Sequence, residues 1–406
     1  MSNQNKSITK PIAKVNLHPA SCKYLKLGHP WITEDTYTKK FPKDNFFLIG
    51  VDEKNRQDVA LLISDPQHKS VKARLWSLDK AEWTKDFKQV LGERVAKAIN
   101  LRRPLMLERE NIFLINGESD GLPGLLVQLL KNELMIQYYA LFWKDQESIL
   151  IEFLKTNLPE VKDIWIQERN FDQAKTIRSI NGSNSSEFTL KEFGLNYQIK
   201  INQHYDFGIY SDMSAIRKAM RPYLETKKSL LNLFSYTGAF SVFCLGMDFE
   251  NIVSVDLSQK YLAWLDENLA LNPQLKKDNH SALCMPSERA MDKLINEKMK
   301  FEVIVCDPPS ASSDGNKISS ALKSYEILLP QMLELLDEEK GQIFAFLNTH
   351  TISWTKFEEK LKAIVDSSKF KNKVIIGKRF KLNEDCVPLK GFHEGDYLKG
   401  FLIEFK

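Results

Sequence analysis

Long apolar runs are missing from this chain. None of its 406 residues belongs to a stretch approaching the roughly 20 that a membrane-spanning helix needs, so no membrane partner is expected. The polar opening MSNQNKSITK lacks the apolar core of a secretory signal, and the expected location is cytoplasmic. Cysteine is scarce as well. Cys22, Cys244, Cys284, Cys306 and Cys386 are scattered, odd in number and without a C-x-x-C pair, which argues against a disulfide framework or a zinc site; no metal is expected. Net charge is only +4 but unevenly placed. Residues 1–77 hold 13 Lys/Arg against 7 Asp/Glu, which suits either an anionic partner such as RNA or a solvated lysine-rich face.

Glycine is thin where a dinucleotide enzyme would concentrate it. Residues 230–256 read LLNLFSYTGAFSVFCLGMDFENIVSVD: a buried strand, a turn at Ser235-Tyr236-Thr237-Gly238, a helical pattern, and a second strand ending in Asp256. That is the grammar of the first nucleotide-binding unit of a doubly wound sheet. Gly238 would let a ligand approach the backbone, and Asp256, 18 residues on, would accept from ribose hydroxyls. No G-x-G-x-x-G is present, so a pyrophosphate would lose its cradle. A nucleoside ligand without phosphates is expected, and S-adenosylmethionine fits.

Downstream, residues 301–305 read as a strand that stops at Cys306-Asp307-Pro308-Pro309. Two prolines cannot continue a ladder, so they set a rigid turn at the strand's carboxyl end, where open α/β sheets bind ligands. Asp307 and the backbone around Pro308 should wall a reaction site, which raises the expectation of a methyltransferase.

The rest of the chain predicts two or three domains. The polar residues 1–10 are read as disordered. Residues 12–77 carry short β segments that suggest a small barrel or sandwich, with Lys23, Lys26, His29 and Trp31 around Gly28 as a candidate RNA surface. Trp31 reads rather as a core residue. Residues 80–101 read as helix and 112–139 as strands, interrupted by GESDGLPG, whose Glu118 and Asp120 suit capping of the turn's own amides. Residues 170–187 read as a surface loop, and a boundary is placed at 192/193. Asp212 would cap a helix over 213–224 or face the cofactor. Residues 374–380 and 397–405 suggest an antiparallel pair at a sheet edge.

Taken together, LGHPWI, GESDGLPG, FGIYSD, NLFSYTGAF, VSVD and CDPPS, in this order, resemble the bacterial class I large-subunit ribosomal RNA methyltransferases with an amino-terminal PUA domain. The resemblance implies an α/β fold: a PUA-like RNA-binding β-barrel domain at 1–77, a central α+β linking domain at 78–192, and a Rossmann-like catalytic domain at 193–406. It places Phe234, Ser235 and Gly238 in the cofactor loop, Asp256 on the ribose, Asp307 in the catalytic turn and Asp212 just before the loop. Lys23, Lys26, His29 and Trp31 would touch RNA. The implied partner is large-subunit ribosomal RNA; the oligomeric state is left open, a homodimer being one option.

Two departures bear on the chemistry. Family members that methylate cytosine at carbon 5 carry Ser-Cys-Ser at the end of the strand after the D-P-P turn, and the thiolate attacks the base. This chain has Asn348-Thr349-His350 there, and Thr349 cannot supply a thiolate. Cys306, one residue before Asp307, reads as a buried strand residue. Transfer to guanine nitrogen 7 or another heteroatom therefore becomes an alternative, with Asn348 on the base edge beside Asp307. The second departure is Ser287, where relatives have an acid for the adenine amino group. A non-catalytic RNA-binding ribosome assembly factor is the remaining alternative.

Overall fold

A computed structural model describes residues 12–43, 46–169, 177–204, 206–309, 311–313 and 318–406. The polar lead at 1–10 and the first part of the expected loop, 170–176, lie outside them. The chain divides into two compact units, Met1–Ser185 with Asp385–His393, and Ser186–Glu384 with Glu394–Lys406. No helix among the described residues is long and apolar enough to cross a membrane.

The first unit holds two five-stranded sheets. β1 (Ala13–Leu17), α1 (Pro19–Lys26), β2 (Trp31–Thr33), β3 (Phe47–Asp52), β4 (Gln57–Ser64) and β5 (Val71–Ser77) give a sheet ordered β1-β3-β4-β5-β2. Then follow α2 (Phe87–Arg102), β6 (Asn111–Asn116), β7 (Leu125–Leu130), β8 (Glu133–Tyr138), α3 (Phe142–Asp145), α4 (Glu147–Asn157), β9 (Asp163–Glu168) and β10 (Ile177–Ser179), with sheet order β10-β9-β8-β7-β6. The first sheet keeps a core of its own, with Leu17, Ile32, Leu48 and Leu62, and shares a second with the other sheet. Phe47, Leu61, Ile63 and Trp76 from the first are buried in one cluster with Val90, Leu91 and Ile112. That shared burial is why no compact-unit boundary falls at 77/78.

The acidic GESDGLPG turn has an internal purpose. Asp120 accepts from the N–H of Asn116 at 2.6 Å and pairs with Arg102 at 2.8 Å, which matches the capping role expected of it. Glu118 does not cap. It accepts from Trp31 Nε1 at 2.7 Å and from Arg74 Nη1 at 2.9 Å, so the turn is tied to β2 and β5.

The second unit opens with a hairpin, β11 (Ser186–Glu192) and β12 (Leu195–Ile201), closed by Phe193 and Gly194 at φ 51° and 84°. Two central residues at positive φ match the right-handed twist of the flanking strands. The boundary expected at 192/193 would cut this hairpin, whereas the unit begins at Ser186. α5 (Ser214–Leu224) follows a short 3-10 turn, and its cap position is Met213 with no side-chain bond, so Asp212 is not the cap.

The main sheet comprises β13 (Ser229–Leu233), β14 (Asn251–Asp256), β15 (His280–Cys284), β16 (Val303–Cys306), β19 (Gln342–Asn348), β20 (Val374–Lys381) and β21 (Leu398–Phe405). Between them run α6 (Ala239–Leu245), α7 (Gln259–Ala270), α8 (Ser287–Asn296), the small hairpin β17 (Ala311–Ser313) and β18 (Ile318–Ser320), α9 (Ala321–Leu335) and α10 (Trp354–Asp366). Strand order is β15-β14-β13-β16-β19-β21-β20, parallel through the first five and antiparallel at β21. Leu231, Leu233, Val255 and Ile304 are fully buried. Strands covered on both faces read as continuous apolar runs, which is what made them visible in sequence. Chain order reverses between β13 and β16, so a crevice opens at their carboxyl ends.

Candidate active site

At that crevice lies a cavity of about 450 Å³. It is lined by Phe234, Ser235 and Tyr236 after β13, by Asp256 at the end of β14, by Asp307, Pro308 and Pro309 after β16, and by Asn348 at the end of β19. Asp212 and Arg217 line it as well. Five of the sequence-derived cofactor residues, Phe234, Ser235, Asp256, Asp212 and Asp307, are therefore brought together, along with Pro308 and Asn348.

The loop after β13 is held in a costly shape. Phe234 and Tyr236 have φ of 56° and 50°, a left-handed conformation that costs non-glycine residues about 1–3 kcal/mol each. Three tethers hold it. Ser235 N donates to Val255 O at 2.9 Å, Tyr236 N to Asp256 Oδ2 at 2.8 Å, and Thr237 Oγ1 to Gly208 O at 2.5 Å. Asp256 Oδ1 accepts from Ser258 N at 2.8 Å. Each carboxylate oxygen thus uses one acceptor site on backbone and keeps another for a ligand hydroxyl.

Ser235 Oγ is the telling atom. Its residue is 6% exposed, and the hydroxyl has no hydrogen-bond partner among the described residues. A buried unpartnered hydroxyl costs stability unless a ligand satisfies it. Beside it, Tyr236 packs against Tyr210 at 5.2 Å and Tyr261 at 4.6 Å between ring centroids, giving the cavity an aromatic wall. A nucleoside fits this donor set: hydroxyl acceptors at Asp256, an orphaned hydroxyl, and flat apolar surface for a base. Nothing in it is a phosphate cradle.

Asp307 is the electrostatic centre. Burial, helped by the charge of Asp212 and opposed by Arg217, pushes its carboxyl up to about 7 from 3.8. Asp212 itself accepts from Tyr397 Oη at 2.9 Å. Arg217 is clamped by Glu192, with Nε to Oε1 at 2.6 Å and Nη2 to Oε2 at 2.8 Å, and Glu192 also accepts from Ser214 Oγ. Both charges are buried, so the pair sits in the wall as a fixed unit.

Several sequence expectations are corrected here. Gly238 serves packing: at φ 77°, a Cβ on it would lie 2.3 Å from Leu265 Cγ, and the residue does not line the cavity. Ser287 is buried at the start of α8 and does not line it either. Cys306, by contrast, agrees with its reading as a buried strand residue: it has no accessible surface, and burial pushes its thiol above the ordinary range. In the first unit, Lys23 and Lys26 are exposed on α1, but Trp31 spends its indole N–H on Glu118, packs 4.7 Å from Phe392 and lies under the Arg74 guanidinium at 5.2 Å. His29 packs against Phe392 at 5.8 Å. Trp31 and His29 therefore form an internal aromatic cluster. Sequence reasoning missed Tyr210, Tyr236, Tyr261, Asn232 and Arg217. Three of these, Tyr210, Asn232 and Tyr236, lie inside the quoted FGIYSD and NLFSYTGAF segments; Tyr261 and Arg217 carry no local signal.

Comparison with known proteins follows the same outline. A family model described as Conserved hypothetical protein 95 matches residues 213–363. The chain is 27% identical over 401 residues to YwbD of Bacillus subtilis (strain 168), a candidate ribosomal RNA large subunit methyltransferase, covering 97% of this chain and 99% of that one. It is 28% identical over 344 residues to ribosomal RNA large subunit methyltransferase I of Enterobacter sp. (strain 638), covering 82% and 84%. Among solved structures, that of SMU.776 in complex with SAH superposes with a TM-score of 0.82 at 19% identity, over 97% of this chain and 100% of that one, so the two share a fold along almost their whole length.

Proposed function

We propose that this protein is an S-adenosylmethionine-dependent methyltransferase acting on a base of large-subunit ribosomal RNA. The observation that carries the reading is the meeting of Ser235, Asp256, Asp307 and Asn348 around one cavity at the point where strand order reverses. The names of the sequence relatives support the substrate class.

The chain's residues have distinct tasks in this reading. Asp256 accepts from the ribose hydroxyls, Ser235 Oγ bonds a polar group, and Tyr236 and Tyr261 flank the adenine. When bound, the cofactor supplies an electrophilic methyl group. Asp307 and the stiff Pro308-Pro309 corner position the target base, Asn348 bonds its edge, and the partly apolar wall limits water. With a carboxyl near 7, Asp307 can hold or release a proton at its Oδ atoms under ordinary conditions.

No cysteine lines the cavity, and Cys306 is buried, so a covalent thiolate route to cytosine carbon 5 has no residue to carry it. The reading therefore favours a ring heteroatom such as guanine nitrogen 7, which already offers a lone pair. The first sheet of the first unit is read as a PUA-like module, with Lys23 and Lys26 on phosphates.

Tritiated methyl transfer to large-subunit RNA and to assembled subunits tests the activity; no incorporation into either would end the enzyme reading. Mass spectrometry of ribosomal nucleosides from a deletion strain tests the atom. Loss of a methylated guanine is the expected result, and loss of 5-methylcytosine would overturn the heteroatom choice.

A further inference from the structure

A line of polar side chains crosses the core of the second unit. Asn232 Nδ2 donates to Ser241 Oγ at 2.9 Å, Ser241 Oγ and Ser254 Oγ share a proton at 2.7 Å, and Ser254 Oγ meets His280 Nε2 at 2.8 Å. Asn232, Ser241 and Ser254 are 1%, 0% and 0% exposed, while His280 is half-buried on the edge strand β15. The four residues come from β13, α6, β14 and β15. Packing alone gives no reason for them, because apolar residues of similar shape in place of both partners of a buried hydrogen bond are close to neutral for stability.

Such a line has a direction. Each serine hydroxyl carries one proton, so an end group that accepts decides which way both point. If His280 accepts at Nε2, Ser254 donates to it, Ser241 donates to Ser254, and Asn232 donates its amide N–H to Ser241. The carboxamide oxygen is then left for the cavity that Asn232 lines. If His280 instead donates from Nε2, Ser254 accepts, its own proton is released, and both hydroxyls are free to reverse. The carboxamide of Asn232 can then rotate to accept, turning its NH₂ group to the cavity.

We propose that His280 is a positioning residue whose Nε2, through Ser254 and Ser241, fixes which end of the Asn232 carboxamide is presented to the cofactor cavity. The inference rests on that cavity being the cofactor site. Burial lowers the pKa of His280 from 6.5, and the charge of Asp266, on the packed helix α7, opposes the shift; from β14 it faces the uncharged Ser254 hydroxyl. The shift favours the neutral ring, whose Nδ1–H tautomer accepts at Nε2. A carboxamide oxygen turned to the cavity suits a cationic ligand, since a sulfonium amino acid presents positive charge and ammonium protons. Protonating His280 turns it into a donor and removes that acceptor.

Calorimetry of S-adenosylmethionine binding to the full chain tests this. His280→Leu and Ser254→Ala should each raise Kd roughly tenfold, the loss of one hydrogen bond to a charged group. The double variant should be no worse than either by more than about twofold, because both break the same line. His280→Gln, which can accept through Oε1, should restore binding to within about threefold. Once the pH falls far enough to protonate His280, wild-type Kd should rise more steeply than that of His280→Gln, whose remaining slope belongs to Asp307; thermal melts check folding. Unchanged Kd in both His280→Leu and Ser254→Ala, with wild type binding normally, overturns the positioning role and leaves the cofactor reading intact. Failure of wild type to bind removes both. Imidazole nitrogen NMR gives a readout independent of variants: the proton is expected on Nδ1, and an Nε2–H tautomer at pH 7 contradicts the proposal.

Discussion

The backbone N–H of Tyr236 donates to Asp256 Oδ2 at 2.8 Å, so the carboxylate ending one strand holds the left-handed turn that ends its neighbour. Cofactor contact and loop shape therefore depend on one side chain. Asp256→Ala removes two charge-assisted backbone bonds and the ribose acceptors together, and a loss of about 100-fold in S-adenosylmethionine affinity is expected by calorimetry. Wild-type affinity in this variant would dismiss the ribose assignment.

Asp307 gives a signed pH dependence. Its folded value, about 7, lies above the ordinary 3.8, so between these limits the folded protein binds more protons at this site than the unfolded chain. Stability must then fall as pH rises through that window, and level off above it. Asp307→Asn abolishes the term. Scanning calorimetry from pH 5 to pH 8 should show the variant gaining on wild type as pH rises, and parallel curves would refute the raised carboxyl.

Arg217 and Glu192 form a buried pair that shapes the wall. Glu192→Ala leaves a guanidinium in the core without its carboxylate, and a loss of about 3–5 kcal/mol is expected. Glu192→Leu with Arg217→Met, which removes both charges, should recover most of it in urea denaturation. A double variant as unstable as the single one would mean that the charges themselves are required.

Gly238→Ala should act on stability. Its Cβ would strike Leu265 Cγ at 2.3 Å and adopt a left-handed φ of 77°. A cost of about 1–3 kcal/mol is expected, partly relieved by Leu265→Ala. Normal stability with weakened cofactor binding would return Gly238 to a ligand-approach role.

These residues show what could be read locally. The strands at 230–233 and 303–306 were visible because burial on both faces writes continuous apolar runs, and Asp307 because paired prolines stop a strand wherever they occur. Asp256 followed from its place at a strand end. Gly238 misled because a residue type suited to touching a ligand is equally suited to touching a neighbouring side chain. Leu265 claims the space beside Gly238, and Glu118 and Phe392 claim Trp31.

By itself, the sequence determined the alternation of strand, turn and helix, the absence of a phosphate cradle, and the absence of a cysteine at 348–350, the end of the strand after the D-P-P turn, because these are written in short-range pattern and residue identity. Only the tertiary structure decided that strand order reverses between β13 and β16, that Glu192 clamps Arg217, and that Asn232 is wired to His280. Each of these joins residues 25 to about 75 positions apart, in elements whose own periodicity is satisfied by burial alone. Hydrophobic burial is non-directional and says which faces go inside; which polar groups then meet is settled by where the strands lie beside one another.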